Sequence, residues 1–67
     1  MLQRTRKVAG DCDDGPCPAI HETNQPPVMA VQGYIPTPED AAAMGLPEGE
    51  AVVLVPRSLL DGYAAGR

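Results

Sequence analysis

The chain contains neither tryptophan nor phenylalanine, and two tyrosines are its only large aromatic side chains. Aromatic residues bury the largest apolar areas in a core, so this core has to come from aliphatic side chains. A chain of 67 residues buries only about 60% of its unfolded surface, which leaves a small margin of stability. Small chains of this kind need a metal, a disulfide or a partner chain. We therefore expect a homodimer or a complex with another protein.

Two segments of the chain are candidate β-strands. Residues 17–23 form a short candidate that ends at the Asn-Gln-Pro-Pro sequence of 24–27, because proline cannot donate a ladder hydrogen bond. Residues 51–55 read Ala-Val-Val-Leu-Val. Their β-branched composition predicts the most buried strand of the fold.

A third strand is predicted over residues 28–35, where apolar residues partly alternate. Gly33 lies inside this segment, and a glycine within a strand indicates a bulge or a close approach of another backbone.

The clearest local signal is a short helix over 38–44. Thr37 is a suitable N-cap, Pro38 occupies the first helical position, and Gly45 follows the last one. A second helix is predicted over 57–65, because Leu59, Leu60 and Tyr63 share one helical face.

These elements predict an α+β fold with a small antiparallel sheet of about three strands and the two helices 38–44 and 57–65, in a dimer. Residues 1–16 show no periodicity and are predicted to be a flexible arm, basic at its start and acidic at its end. Residues 17–67 are predicted to be a single small domain.

The charges argue against nucleic acid as a partner. The net charge is −4, and wide contact with phosphates requires lysine and arginine. The N-terminal cations Arg4, Arg6 and Lys7 are the residues that an alternative DNA-binding function would use. No apolar run is long enough to span a bilayer, and the basic N-terminus lacks an apolar signal segment. These features predict a cytoplasmic protein without a membrane partner.

Two cysteines and a histidine lie close together at Cys12, Cys17 and His21. Thiolate and imidazole are zinc ligands, so these residues are a candidate metal site, although a structural site needs a fourth ligand. A disulfide across the intervening turn is a second reading. The favoured reading is two reduced thiols and a hydrogen-bonded or half-exposed histidine, with no cofactor. An EF-hand reading fails, because Pro16 stands where the loop needs glycine.

No constellation of residues indicates catalysis. The sequence has no glycine-rich phosphate loop, no paired carboxylates on a rigid frame and no nucleophile with a base and an orienting group. We therefore expect that the protein is not an enzyme.

Residues 31–56 resemble the repeating unit of AbrB-like swapped-hairpin transcription regulators. The pattern is a strand ending in Ile-Pro, a short helix, and Gly-Leu before a Gly-acid pair and a β-branched strand. The matching positions are Ile35, Pro36, Gly45, Leu46, Gly49, Glu50, Val52 and Val53. The resemblance implies an intertwined dimer. DNA-binding members carry arginines where this chain has Thr37, Glu39 and Asp40.

The chain after residue 9 is also similar to small actinobacterial regulatory proteins of the BldB-like type. The shared layout is an early Gly-x-Cys, a short strand led by a cysteine, an apolar strand and a terminal helix that ends in Ala-Gly-Arg. Its matching positions are Gly10, Cys12, Cys17, Met29, Ala30, Val31, Val53, Pro56, Ala65, Gly66 and Arg67. This resemblance implies a non-enzymatic partner of a helix-turn-helix regulator.

The predicted function is therefore a small regulatory module that acts by protein–protein contact, with Leu59, Leu60 and Tyr63 as contact residues. A swapped-hairpin DNA-binding dimer and a zinc-stabilised module are the alternatives.

Overall fold

A computed structural model of the chain describes residues 1–10 and 17–66. Its centre is a three-stranded antiparallel sheet in the order β1-β2-β3. The strands are β1 (Arg4–Gly10), β2 (Ala19–Thr23) and β3 (Met29–Gln32), and the helices of the described residues are α1 (Pro38–Met44) and α2 (Arg57–Ala65). The predicted α+β class, with a three-stranded sheet and two helices, is confirmed.

Both helices have the predicted bounds. In α1 the backbone N–H of Asp40 donates to Thr37 Oγ1 over 3.2 Å, which is the expected N-cap bond. Gly45 ends the helix with φ 63°, in the left-handed region that glycine adopts at low cost. Because α1 buries none of its residues, capping rather than packing defines it.

The N-terminal segment, which is predicted from the sequence to be a flexible arm, contributes a strand to the sheet. Residues 4–10 form β1, the first strand of the sheet. Asn24 secures its start: the side chain accepts from the Gln3 N–H at 2.9 Å and donates to the Met1 carbonyl at 2.8 Å. The Asn24 N–H also donates to the Gln3 carbonyl at 3.0 Å. The remainder of the predicted arm, residues 11–16, lies outside the described residues.

The tight turn between β2 and β3 is organised by Thr23. Its side chain is buried, and its Oγ1 accepts from the Gln25 N–H at 3.1 Å. The same hydroxyl lies 3.0 Å from the Gln25 carbonyl and 2.8 Å from the Val28 carbonyl, between which its single proton is shared. The Asn-Gln-Pro-Pro sequence is thus a structured turn, which fixes the register of the strands on either side.

The core lies where α2 packs on β1 and β2. Among the described residues the buried apolar side chains are Ala19, Ile20 and Leu59. Each large aliphatic residue contributes about 1.5–3 kcal/mol when it is fully buried. This core is small, as the lack of tryptophan and phenylalanine predicts.

The segment 51–55 does not form the predicted buried strand. Its described contact with the sheet region is an isolated bridge between Leu54 and Tyr34, and Val53 and Leu54 remain 38% and 42% exposed. The central strand β2 already has a neighbour on each side. The segment meets the chain at Tyr34, beyond the end of β3, and does not pair with β3 itself.

Gly33 makes the close approach of the Leu54–Val55 backbone to the end of β3 possible. A Cβ atom at Gly33 would lie 2.6 Å from the Leu54 carbonyl oxygen and 2.7 Å from Val55 Cγ1. Both distances are shorter than any ordinary contact. The close backbone approach predicted from the sequence is confirmed.

The molecule exposes more accessible surface than a compact monomer of the same mass. Its accessible surface is 5326 Å², whereas a compact monomer of 7.0 kDa exposes about 4,000 Å². The Cα radius of gyration is 13.1 Å, against about 11 Å for a compact chain of this length. In the described residues we find no helix of the length and hydrophobicity needed to cross a membrane.

We expect Gly33→Ala to lower the free energy of unfolding by about 1–3 kcal/mol, the usual cost of forcing an extra carbon into a packed site. Gly62→Ala in α2 is the matched control, because a Cβ there meets nothing within 4 Å. It should raise stability by up to about 1 kcal/mol through helix propensity. Urea denaturation of both variants checks this, and equal effects would contradict the steric account.

Candidate functional site

Exposed apolar side chains concentrate in the middle of the chain. Large hydrophobic residues normally bury themselves, and a contiguous exposed group marks an interaction site. In the described region between Val28 and Leu54, the large hydrophobic residues with exposed side chains are Val28, Met29, Val31, Tyr34, Ile35, Met44, Val53 and Leu54. This part of the molecule is therefore the candidate functional site.

The Tyr34–Leu54 bridge holds the centre of this region. The Tyr34 N–H donates to the Leu54 carbonyl and the Leu54 N–H donates to the Tyr34 carbonyl, both over 2.8 Å. These two bonds close the excursion 35–53 that carries α1. They also align the Tyr34–Ile35 and Val53–Leu54 segments side by side.

We call Tyr34, Ile35, Val53 and Leu54 the bridge surface. Tyr34 is 60% exposed and Ile35 is 88% exposed. Ile35 is the extreme case, since an isoleucine is normally among the most buried residues. None of the four side chains carries a charge, so the bridge surface offers apolar contact area and no ion pair.

A groove of about 430 Å³ lies beside the bridge surface. Its lining consists of Cys17, Pro18, Tyr34, Leu54, Val55, Pro56 and Leu59. The groove connects the bridge surface to the buried Leu59 at the core. Its lining side chains are mainly apolar.

The predicted contact residues of α2 occupy different environments. Leu59 is buried at 6% exposure and belongs to the core. Tyr63 is half-buried and lines a cleft with Arg6 and Glu22. Of the three, only Leu60 presents an exposed side chain. The face shared by Leu59 and Tyr63 thus serves chiefly to dock α2 on the sheet.

The cations Arg4, Arg6 and Lys7 all lie on β1. Arg6 Nε donates to Glu22 Oε1 over 3.1 Å in an ion pair whose side chains are largely exposed. Arg4 donates to the side-chain oxygen of Gln32 over 3.3 Å. Such exposed pairs stabilise the fold weakly, but they draw two of the three cations toward groups of the sheet. DNA binding by these residues stays a prediction.

Sequence reasoning did not anticipate the polar network around Gln32. The buried His21 Nε2 lies 3.3 Å from Gln32 Oε1. Because an amide oxygen only accepts, His21 carries its proton on Nε2 here. The Gln32 amide nitrogen donates to the Cys17 carbonyl at 2.9 Å. The network confirms a hydrogen-bonded histidine, and Gln32 gave no signal because it is one polar residue in an apolar segment.

The favoured prediction of reduced thiols is wrong for Cys17, which is disulfide-bonded. Cys12, the chain's other cysteine, lies outside the described residues. A disulfide sulfur offers no thiolate to a metal, so in this oxidised form Cys17 is not a zinc ligand. Within residues 1–10 and 17–66, no group of three or more His, Cys, Asp or Glu residues is placed to hold a metal ion.

No family model, curated protein or solved structure matches this chain. The resemblances to the AbrB-like and BldB-like families therefore remain predictions from the sequence. The candidate site depends on the geometry and exposure of its own residues.

Thermal unfolding with a reductant and with a chelator distinguishes stabilisation by a disulfide from stabilisation by zinc. We expect a reductant to lower the melting temperature by about 10 °C, since a short-loop disulfide contributes about 2 kcal/mol in a small domain. A chelator should leave it unchanged. A drop with chelator alone would show that a metal stabilises the protein.

We expect Gln32→Leu to cost about 1–3 kcal/mol, because it leaves the buried His21 N–H without this acceptor. Gln25→Leu is the control, since the hydrogen bonds of Gln25 to Thr23 use its backbone. Thermal unfolding followed by circular dichroism measures both. Equal stability of the two variants would show that the network contributes nothing.

Proposed function

We propose that the protein is a small, non-enzymatic interaction module that binds a protein partner through the bridge surface. The observation that carries the proposal is the exposure of Tyr34, Ile35 and Leu54 on a segment that two backbone hydrogen bonds hold in place. A fixed apolar surface loses little conformational freedom on binding, so more of its burial is available as affinity.

The continuity of the groove with the exposed bridge surface, rather than its size, supports a protein partner. The groove is open along the bridge surface, and its lining is mainly apolar side chains. Interfaces typically centre on aromatic or aliphatic anchors that enter such pockets. Tyr34 stands at the edge of both the groove and the bridge surface, where it can contact a side chain of the partner on either side.

The partner class comes from the sequence resemblance to BldB-like regulatory proteins, which implies a helix-turn-helix transcription regulator. The apolar face of a partner helix presents side chains at regular spacing to a groove of this kind. Binding would then modulate the regulator without any chemical change in it.

A role without catalysis agrees with the best-defined polar group of the structure. Arg4 and His21 both hydrogen-bond to Gln32 Oε1, and the Gln32 amide nitrogen donates to the backbone carbonyl of Cys17. The histidine is buried at 7% exposure. These contacts use the polar atoms to join β1, β2 and β3, which is a structural role.

The predicted cytoplasmic location belongs to this proposal, but the disulfide at Cys17 weighs against it. Cytosolic thiols are kept reduced, whereas disulfides persist in oxidising compartments. A module that binds a transcription regulator in the cytoplasm would work with Cys17 reduced.

We expect Ile35→Asp to abolish partner capture, because it places a charge in the centre of an apolar contact. Ile35 is 88% exposed, so the fold should be unaffected. The measurement is affinity purification from the native host with crosslinking and mass spectrometry, followed by binding titration with the purified regulator.

Leu60→Asp is the matched control, since Leu60 is an exposed apolar residue of α2 at 53% exposure. It should retain the partner. Retention by Ile35→Asp together with loss in Leu60→Asp would place the contact on α2 instead. Capture of no regulator by the unmodified chain would contradict the proposed function.

A further inference from the structure

The two edges of the sheet differ in their chemistry. β1 carries Arg4, Arg6 and Lys7, and its pairing with β2 has irregularities between Arg4 and Arg6 and between Lys7 and Ala9. Charged side chains and bulges are the features that keep a sheet edge from pairing with another chain. The β1 edge is thus protected.

The β3 edge has neither feature. Its four residues, Met-Ala-Val-Gln, are uncharged, and no charged residue occurs anywhere between Thr23 and Pro38. The pairing of β3 with β2 is regular over all four residues. In the part of the chain that the structure describes, no further strand pairs with β3. A short, regular and uncharged edge is a template for another strand.

We propose that two copies of this chain pair through their β3 edges, antiparallel and about a two-fold axis, to form one continuous six-stranded sheet. In such an isologous contact the same strand serves both copies. Each copy carries a net charge of −4, so a second copy is accepted only where the contact surface itself is uncharged. The β3 edge meets that condition and the β1 edge does not meet it.

The chain exposes enough surface to accommodate a second copy. A standard interface buries about 800 Å² from each partner. Removing that area from the 5326 Å² of the chain leaves about 4,500 Å², much nearer to the value for a compact molecule of this mass. Met29 and Val31 are 39% and 44% exposed. They pair with Glu22 and Ile20 on β2, so their side chains lie on the same face of the sheet as those two residues. In the dimer, the neighbouring β3 strand of the second copy would cover part of their exposed surface.

The test is sedimentation equilibrium of the full chain over a range of concentrations. We expect twice the 7.0 kDa mass of one chain, with little dependence on salt because no charges meet. Val31→Lys should weaken the dimer by about a hundredfold or more, since each copy brings the like charge to the axis region. Leu60→Lys, on an equally exposed apolar residue of α2, should leave the dimer intact.

A second measurement does not depend on any variant. In a mixture of isotope-labelled and unlabelled chains, we expect intermolecular contacts between residues 29–32 of the two copies by filtered NMR. A monomer at all concentrations, a dimer that Val31→Lys leaves unchanged, or intermolecular contacts confined to other elements would overturn the proposal.

This inference goes beyond the proposed function, and each can fail alone. If the dimer is absent but Ile35→Asp still loses the regulator, the interaction module stands without the β3 pairing. If the dimer forms through β3 but no regulator binds, the sheet pairing stands and the proposed function falls.

Discussion

Two hydrogen bonds between Tyr34 and Leu54 decide how the second half of this molecule is arranged. They are the point at which the excursion 35–53 returns to the sheet. Gly33 is what permits them, because any side chain there would collide with the Leu54 carbonyl. Once the two segments are joined, α2 follows directly and reaches β1 and β2 with Leu59. The bridge thus links the small core to the exposed bridge surface.

In this short chain without tryptophan or phenylalanine, only some of the apolar side chains are buried. A few of them, such as Ile20 and Leu59, enter a core under α2. Others remain on β3 and the bridge surface, because the chain has no further element to cover them in its described part. Hydrophobic burial within one chain is therefore incomplete, and association offers the remaining burial. Our two proposals assign different parts of this surface to different partners.

Local signals were sufficient to predict the helices. Thr37, Pro38 and Gly45 act within a few residues of one another, so α1 has the bounds that its caps indicate. The fold class also followed from the order of elements. The predicted strand over 51–55 was wrong because β-branched composition reports a preference for extended backbone, whereas pairing depends on where the path of the chain brings the segment to the sheet. Only the three-dimensional arrangement shows that the segment reaches the chain at Tyr34 and not along β3.

The strand β1 was missed for a related reason. Its residues are mainly polar and show no alternation, and its start depends on bonds to Asn24, far away in the sequence. The same holds for the candidate site. In the sequence, an isoleucine such as Ile35 is expected to be buried in the core. Its exposure depends on the path of the chain around the Tyr34–Leu54 bridge. The oxidation state of Cys17 could not be predicted either, because the sequence does not distinguish a reduced cysteine from a disulfide-bonded one.

The difference between the two sheet edges also limits how far association can proceed. A sheet with two pairing edges can add copies without end and grows into a fibre, since each addition leaves a fresh edge exposed. Here β1 would lie at both outer borders of a paired sheet, with its cations and irregular register facing outward. Growth would stop after a single addition. The basic strand at the start of the chain would then act as a terminator, which keeps a small and sparsely buried protein from polymerising.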